Sequence, residues 1–323
     1  MSLLAAGLLA SAGATTATAQ PQPPGAATVG ADARLADGRT VNSPAAVQEV
    51  DRYWTPERMR RAIKTPDVPA SAATRKAIES MGPTGHPGST ASHGPKGAQG
   101  GLALADPVTS PTVGKVFYKN PTDGHDYECS ASSLWSDSHQ LVITAGHCIH
   151  QGKGGTWMRN WTFIPQYENG NRPYGNFDAK QFRTFGGWMN NSDNSRDVGM
   201  VTVWPNVRGK LADVVGDDGL NYNYPRNVDV TVWGYPSNHD NGLYAWWCRG
   251  KTRWVGIFDP RIQLMCGFES GASGGPWLMN YNNTTRLGQV NGITSTLATD
   301  HWNRSPYFDS SVKAMYDAQG GVT

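Results

Sequence analysis

From residue 114 to residue 294 the chain repeats one local pattern. Short runs rich in Val, Phe, Trp, Tyr and Thr are separated by Gly, Asn, Asp and Pro. The runs fall at 114–118, 140–144, 156–164, 198–204, 228–233, 261–265 and 287–294. β-Branched and aromatic side chains suit a half-buried pleated surface, and the intervening residues are those that turn a chain. An all-β sandwich or barrel is therefore expected, and a stretch of roughly 210 residues is long enough to bury a substantial core. One helix is expected at the end, opened by Ser305-Pro306 and carrying Phe308, Val312, Met315 and Tyr316 on its apolar stripe.

The front of the chain reads differently. Residues 1–19 form a candidate signal peptide: an apolar run over 3–14, then Ala17-Thr18-Ala19 as a small-residue cleavage signal. The run is too short to span a bilayer, which needs about 18–20 apolar residues. No Lys or Arg precedes it, which departs from the usual pattern. Residues 20–108 are dominated by Pro, Gly, Ala and Ser and are expected to be a largely unstructured pro-segment and linker. Glycines 82, 85, 88, 94, 97 and 100 keep a broken triplet spacing, too short and too interrupted for a collagen-like helix. Two short helices are expected inside this region, at Ser43-Pro44 and at Thr55-Pro56-Glu57, the second running through Met59, Ala62 and Ile63 and stopping before Pro66. Arg58, Arg60 and Arg61 read as a solvated basic face, with docking on a neighbouring domain as the sharper alternative.

Net charge is only +2, so no strong field directs the chain to nucleic acid or to an anionic membrane. The four cysteines, Cys129, Cys148, Cys248 and Cys266, include no C-x-x-C pair, which disfavours a structural zinc site. An even count in an exported chain suits two disulfides, and three connectivities are open.

Three separated motifs carry chemistry. Thr144-Ala145-Gly146-His147-Cys148 puts a histidine just past an apolar strand. Arg196-Asp197-Val198-Gly199 puts an aspartate at the entrance to another, in preference to Asp178, Asp193 and Asp229. Gly271-Ala272-Ser273-Gly274-Gly275-Pro276 puts a serine in a glycine-rich turn, where the N–H groups of Gly271 and Ser273 can converge on one oxygen. A serine hydroxyl is a poor nucleophile until a base, an orienting carboxylate and oxyanion donors surround it, and these motifs supply each part. Of the eight histidines, only His147 has this strand-end setting; His150 lacks the further ligands that would make a metal pair. Gly271-Ala272-Ser273-Gly274-Gly275 also matches the G-x-S-x-G elbow of α/β-hydrolases. That reading fails because Gly274-Gly275-Pro276 cannot start the required helix and His301 is the only histidine that follows.

The Thr-Ala-Gly-His-Cys and Gly-x-Ser-Gly-Gly-Pro motifs, in the order His, Asp, Ser, resemble the signatures of the chymotrypsin/trypsin-like serine proteases. The likeness covers about residues 113–323 and is nearest in outline to secreted bacterial members, including the glutamyl-endopeptidase-like branch. It implies two six-stranded antiparallel β-barrels over 109–323, with the site in the cleft between them. It implies the pairs Cys129–Cys148 and Cys248–Cys266, and a triad of His147, Asp197 and Ser273 with Gly271 and Ser273 as oxyanion donors. It also implies that Gly267 and Phe268 lie at the base of the pocket for the side chain preceding the cut, with Ser295, Thr296 and Leu297 along its wall. The expected protein is thus a secreted monomeric endopeptidase acting on proteins or peptides, without cofactor, metal, nucleic acid or membrane. A catalytically silent binding module on the same fold is the alternative.

Two departures qualify the likeness. Ala272 stands where trypsin-type enzymes carry an aspartate that pairs with a new N-terminal amine, so that route of activation is closed. Gly267 stands where an aspartate would select Lys or Arg, so a small or apolar preference is expected, with Phe268 as plain core the competing reading.

Overall fold

The computed structural model describes residues 25–66, 85–96 and 109–323. The expected signal peptide lies outside them.

Residues 25–66 correct the expectation of a largely unstructured segment. They form strand β1 (Thr28–Asp32), helices α1 (Pro44–Tyr53) and α2 (Pro56–Arg61), and strand β2 (Ile63–Lys64). Both helices begin as the sequence signals: Ser43 Oγ accepts from Ala46 N and Thr55 Oγ1 from Arg58 N, with proline in each first turn. The second helix stops sooner than expected, because Ala62 turns extended and Ile63-Lys64 leave to join a sheet. Trp54 and Met59 are fully buried in the main core, and the Trp54 ring N–H donates to Asn160 O at 2.5 Å. Among the arginines, Arg58 docks: its Nε lies 2.6 Å from Asp126 Oδ2 and its guanidinium covers the Tyr53 ring. Within the glycine-spaced region, strand β3 (Gly88–Ser89) is likewise paired rather than free.

Six strands then close a barrel. They are β4 (Val113–Lys119), β5 (Asp126–Leu134), β6 (Leu141–Thr144), β7 (Arg159–Pro165), β8 (Phe177–Phe185) and β9 (Gly199–Val203). The antiparallel ladder runs β4-β5-β6-β9-β8-β7 and returns to β4, and β1 adds to β8 with Thr28 opposite Phe185. Each strand sends apolar residues into one core, including Val116, Ala131, Val142, Phe163, Phe182 and Val201. Helix α3 (Gly186–Asn191) follows β8.

The second half differs from the expected second barrel. After helix α4 (Leu211–Val215) come β10 (Gly219–Tyr222), β11 (Asp229–Gly234), β12 (Trp246–Lys251), β13 (Arg253–Gly256), β14 (Asp259–Met265), β15 (Pro276–Asn282), β16 (Leu287–Ile293), β17 (Thr296–Leu297) and β18 (Trp302–Ser305). They make two sheets, β12-β11-β15-β16-β10-β3 and β13-β14-β18-β17. The sheets meet through side chains instead of a backbone ladder. Gly250 on β12 packs so closely on Leu264 of β14 that a Cβ there would come within 2.7 Å of it, and Cys248 is bonded to Cys266. Val230, Val232, Ile262, Leu264, Phe268, Ala272, Trp277 and Tyr307 form their shared core.

The terminal helix α5 (Ser310–Gly320) starts five residues after Ser305. Ser305 cannot cap it, because its hydroxyl receives Ile293 N and faces Pro306 O; Asp309 caps instead, accepting from Ser311 N.

Candidate active site

The barrel brings His147 and Asp197 together through its strand ends. β6 ends at Thr144, and the short helical turn Gly146–Cys148 carries His147 back toward the start of β9, where Asp197 sits two residues upstream. A Cβ on Gly146 would lie 3.0 Å from both Asp197 Oδ1 and Thr184 Oγ1, so glycine is what permits the approach. Asp197 is wholly buried and fully engaged. Its Oδ1 accepts His147 N at 2.7 Å, and its Oδ2 faces His147 Nδ1 at 2.8 Å and accepts Ser295 Oγ at 2.6 Å. A carboxylate opposite Nδ1 selects the tautomer protonated there and leaves Nε2 as the acceptor.

Ser273 lies in the turn entering β15, against the same corner of the barrel. Its carbonyl accepts Ser130 N at 2.7 Å and sits 3.8 Å from the sulfur of Cys148, the residue after His147. His147 Nε2 and Ser273 Oγ are both buried, and neither has a hydrogen-bond partner among the described residues. The Cys129–Cys148 disulfide ties the histidine turn to β5, and both disulfides pair as the resemblance implied.

The serine turn depends on its glycines. Gly271 has φ +92°, and a Cβ would meet Tyr235 O at 2.7 Å; Gly274 has φ +83°, and a Cβ would meet Thr144 Oγ1 at 2.1 Å. The N–H groups of Ala272, Gly274 and Gly275 are taken by the carbonyls of Glu269, Thr294 and Ala272. Those of Gly271 and Ser273 carry no hydrogen bond among the described residues. Ala272 is buried among Val232, Phe268 and Trp277, so apolar packing holds the turn where an ion pair would in trypsin-type chains. Ser130 adds to this, donating through its hydroxyl to Gly271 O at 2.9 Å.

The expected pocket residues divide. Ser295 is buried and its hydroxyl donates to Asp197 Oδ2. Thr296 is buried with its hydroxyl receiving Arg261 Nη1 at 2.8 Å, while Leu297 is half-buried on β17. Gly267 turns the chain at φ +65°, and its carbonyl accepts from Asn238 Nδ2. Phe268 is buried in the core of the second half. The sequence reading missed Asn303, which is buried and clamps Phe268 by accepting its N–H and donating to its carbonyl. It also missed a buried ion pair on β4 and β5, with Lys115 Nζ 2.7 Å from Glu128 Oε2. Burial pushes the Glu128 carboxyl up and the Lys115 ammonium down, each against the pull of the other. His150 is structural: its Nδ1 accepts Gly152 N, and burial lowers its pKa to about 4.

No protein-family model matches the chain. Its structural neighbours are bacterial chymotrypsin-like serine proteases. The crystal structure of the thermostable serine protease AL20 from an extremophilic microorganism is 29% identical with a TM-score of 0.61, covering 66% of this chain and 99% of that one. Protease Anisep from Arthrobacter nicotinovorans is 28% identical with the same TM-score, 0.61, covering 66% and 97%. A Glu endopeptidase structure, at 14% identity and TM-score 0.54 over 70% and 99%, shares the fold.

Among curated proteins the chain is similar to the glutamyl endopeptidase of Bacillus licheniformis, 27% identical over 144 residues, or 44% of this chain and 43% of that protein. It is also similar to the extracellular metalloprotease of Bacillus subtilis, 26% identical over 131 residues, or 40% and 39%. The match thus spans about two fifths of these curated relatives. Among the described residues, one group has metal-type side chains in reach of each other, Cys129, His147 and Cys148. Its two sulfurs are bonded to one another, so the thiolates that a metal needs are gone and the set does not fit one.

Proposed function

We propose that the chain is an exported serine endopeptidase that hydrolyses peptide bonds through an acyl-enzyme, with residues 109–323 as the protease domain. Residues 20–108 are its pro-segment, following a signal peptide at 1–19. The observation that carries the reading is the grip of Asp197 on His147. One carboxylate holds both the backbone N–H and Nδ1, leaving Nε2 as an acceptor that no described residue occupies.

In the first half-reaction Ser273 Oγ bonds to the carbonyl carbon of the substrate as its proton passes to His147 Nε2. The oxygen that takes up negative charge is received by the N–H groups of Gly271 and Ser273. Collapse breaks the C–N bond, and the proton on Nε2 leaves with the amine. Water then repeats the sequence on the ester, giving its proton to Nε2 and restoring Ser273. Asp197 keeps its charge throughout and stabilises the imidazolium. Donors fixed before the reaction are worth about 2.7–4 kcal/mol each where charge develops.

A small or apolar side chain is proposed before the cut. Gly267 offers no charge where an aspartate would select Lys or Arg, and Phe268 beside it is apolar and buried. Hydrolysis of an unfolded protein substrate, with the products read by mass spectrometry, tests activity and preference together. Ser273→Ala and His147→Ala should each lose on the order of 10⁴–10⁶ in kcat. Undiminished hydrolysis by Ser273→Ala, or none by the folded wild type, overturns the reading in favour of a binding module or another chemistry.

A further inference from the structure

The face of β4 and β5 turned toward the second half of the chain carries a row of polar side chains. Lys115 stands opposite Ser130 in the ladder, and Glu128 lies two residues before Ser130, so the three share one face. All three are buried. Lys115 Nζ lies 2.7 Å from Glu128 Oε2 and donates to Gly242 O at 2.6 Å. Ser130 Oγ accepts Tyr235 N at 2.9 Å. The loop 235–242 that follows β11 is therefore fixed to the barrel at both ends, and beside it Asn169 N donates to Leu243 O at 3.0 Å. Gly242 allows the close contact: it has φ +68°, and a Cβ there would meet Tyr235 O at 3.0 Å.

The middle of this loop holds the segment that enters the serine turn. Ser237 N donates to Ser270 O at 2.9 Å, Asn238 Nδ2 to Gly267 O at 2.9 Å, and Glu269 N to Asn238 Oδ1 at 3.3 Å. The first of these bonds decides where an oxyanion donor points. The carbonyl of Ser270 and the N–H of Gly271 belong to one planar trans peptide and face opposite ways, so a bond to one sets the direction of the other. The next carbonyl, Gly271 O, is held from the barrel by Ser130 Oγ at 2.9 Å. Both peptides that flank Gly271 are thus tied, one through the loop and one directly.

A glycine rotates easily unless its neighbours hold it, and Ala272 brings no ion pair to the turn. A buried ion pair stands instead on the barrel, at Lys115 and Glu128, and reaches the turn through Gly242.

We propose that loop 235–242 is a brace for the oxyanion site, with Lys115, held by Glu128, as its anchor and Asn238 as its grip on the segment before Ser273. Both are positioning residues, acting through the Ser270–Gly271 peptide. The proposal rests on the protease reading of Ser273.

The test measures fluorophosphonate labelling of Ser273 across probe concentrations in the full-length wild type, in Asn238→Ala and in Lys115→Met combined with Glu128→Gln. The pair is neutralised on both sides because removing one partner leaves a buried charge alone. Losing one oxyanion donor costs about 10²–10³ in rate, and turning it off direction costs part of that. In both variants the maximal labelling rate should fall at least about tenfold, while the half-saturating probe concentration changes little. The far-downfield proton resonance of His147 Nδ1 should stay in place, since the bond to Asp197 is not involved. Asn238→Ala, at an exposed side chain, keeps the test decisive if the double variant fails to fold. A wild-type maximal rate in folded variants overturns the brace and leaves the protease reading standing. A slower rate accompanied by a shifted His147 resonance also overturns it, because the damage then reaches the histidine. No labelling of the wild type overturns the protease reading and the brace with it.

Discussion

The hydroxyl of Ser295 lies 2.6 Å from Asp197 Oδ2, the oxygen that also faces His147 Nδ1 at 2.8 Å. Ser295 therefore acts on the histidine through the carboxylate, as a positioning residue. Ser295→Ala leaves Asp197 one bond short in a fully buried setting, and kcat should fall about tenfold with KM little changed. Ser295→Thr, which keeps a hydroxyl, should recover part of the loss. A change confined to KM would show that Ser295 contacts substrate instead.

Gly271→Ala tests the serine turn. The new Cβ would meet Tyr235 O at 2.7 Å, at a φ of +92° that L side chains resist. A stability loss on the order of 1–3 kcal/mol is expected in urea melts. Fluorophosphonate labelling should fall further than stability does, since the moved N–H is one of the two free donors.

Trp54→Ala tests whether the N-terminal segment is part of the folded unit. The ring is completely buried, contacts Phe117 and donates to Asn160 O. Removing it should cost about 3–5 kcal/mol, read as a lowered denaturation midpoint of one cooperative transition. An unchanged midpoint would mean that the segment unfolds separately from the barrel.

Asp218 sets a pH dependence. Burial, with Asp217 adding to it, raises its pKa from 3.8 to about 7, although Gly288 N and Thr112 Oγ1 both donate to it. The folded state then holds a proton that the unfolded chain has released, so stability declines as pH rises from about 4 to 7 and levels off above. The loss is on the order of a few kcal/mol. Asp218→Asn keeps both neighbours bonded without the charge, and its melting temperature should vary less between pH 5 and pH 8 than that of wild type. Parallel curves for the two proteins would contradict the assignment.

Much of the candidate site was legible in the sequence because its parts are local. Gly146-His147-Cys148 and the Gly271–Pro276 turn have steric needs that only those residue types meet, and Asp197 announces the strand it precedes. The sheets were legible for the same reason, from runs of β-branched and aromatic residues. What stayed hidden depends on distant partners. Trp54 and Met59 sit in a segment with little apolar periodicity, yet they pack on strands far along the chain. Ile63-Lys64 reads as the end of a helix until the open edge of β5 claims it. Ser295 and Asn303 carry no local motif, since their roles arise from Asp197 and Phe268 meeting them in space. The second barrel failed to close because side chains and the Cys248–Cys266 bond join the two sheets where a ladder was expected.

The most direct test of Ser273 as nucleophile is adduct mapping. Wild type, Ser273→Ala and His147→Ala are treated with a fluorophosphonate and digested, and the modified residue is located by mass spectrometry. A single adduct on Ser273 is predicted in wild type. None is predicted in Ser273→Ala, and a rate at least about a thousandfold lower in His147→Ala. An adduct at another residue, or none on Ser273 in the folded wild type, would contradict it.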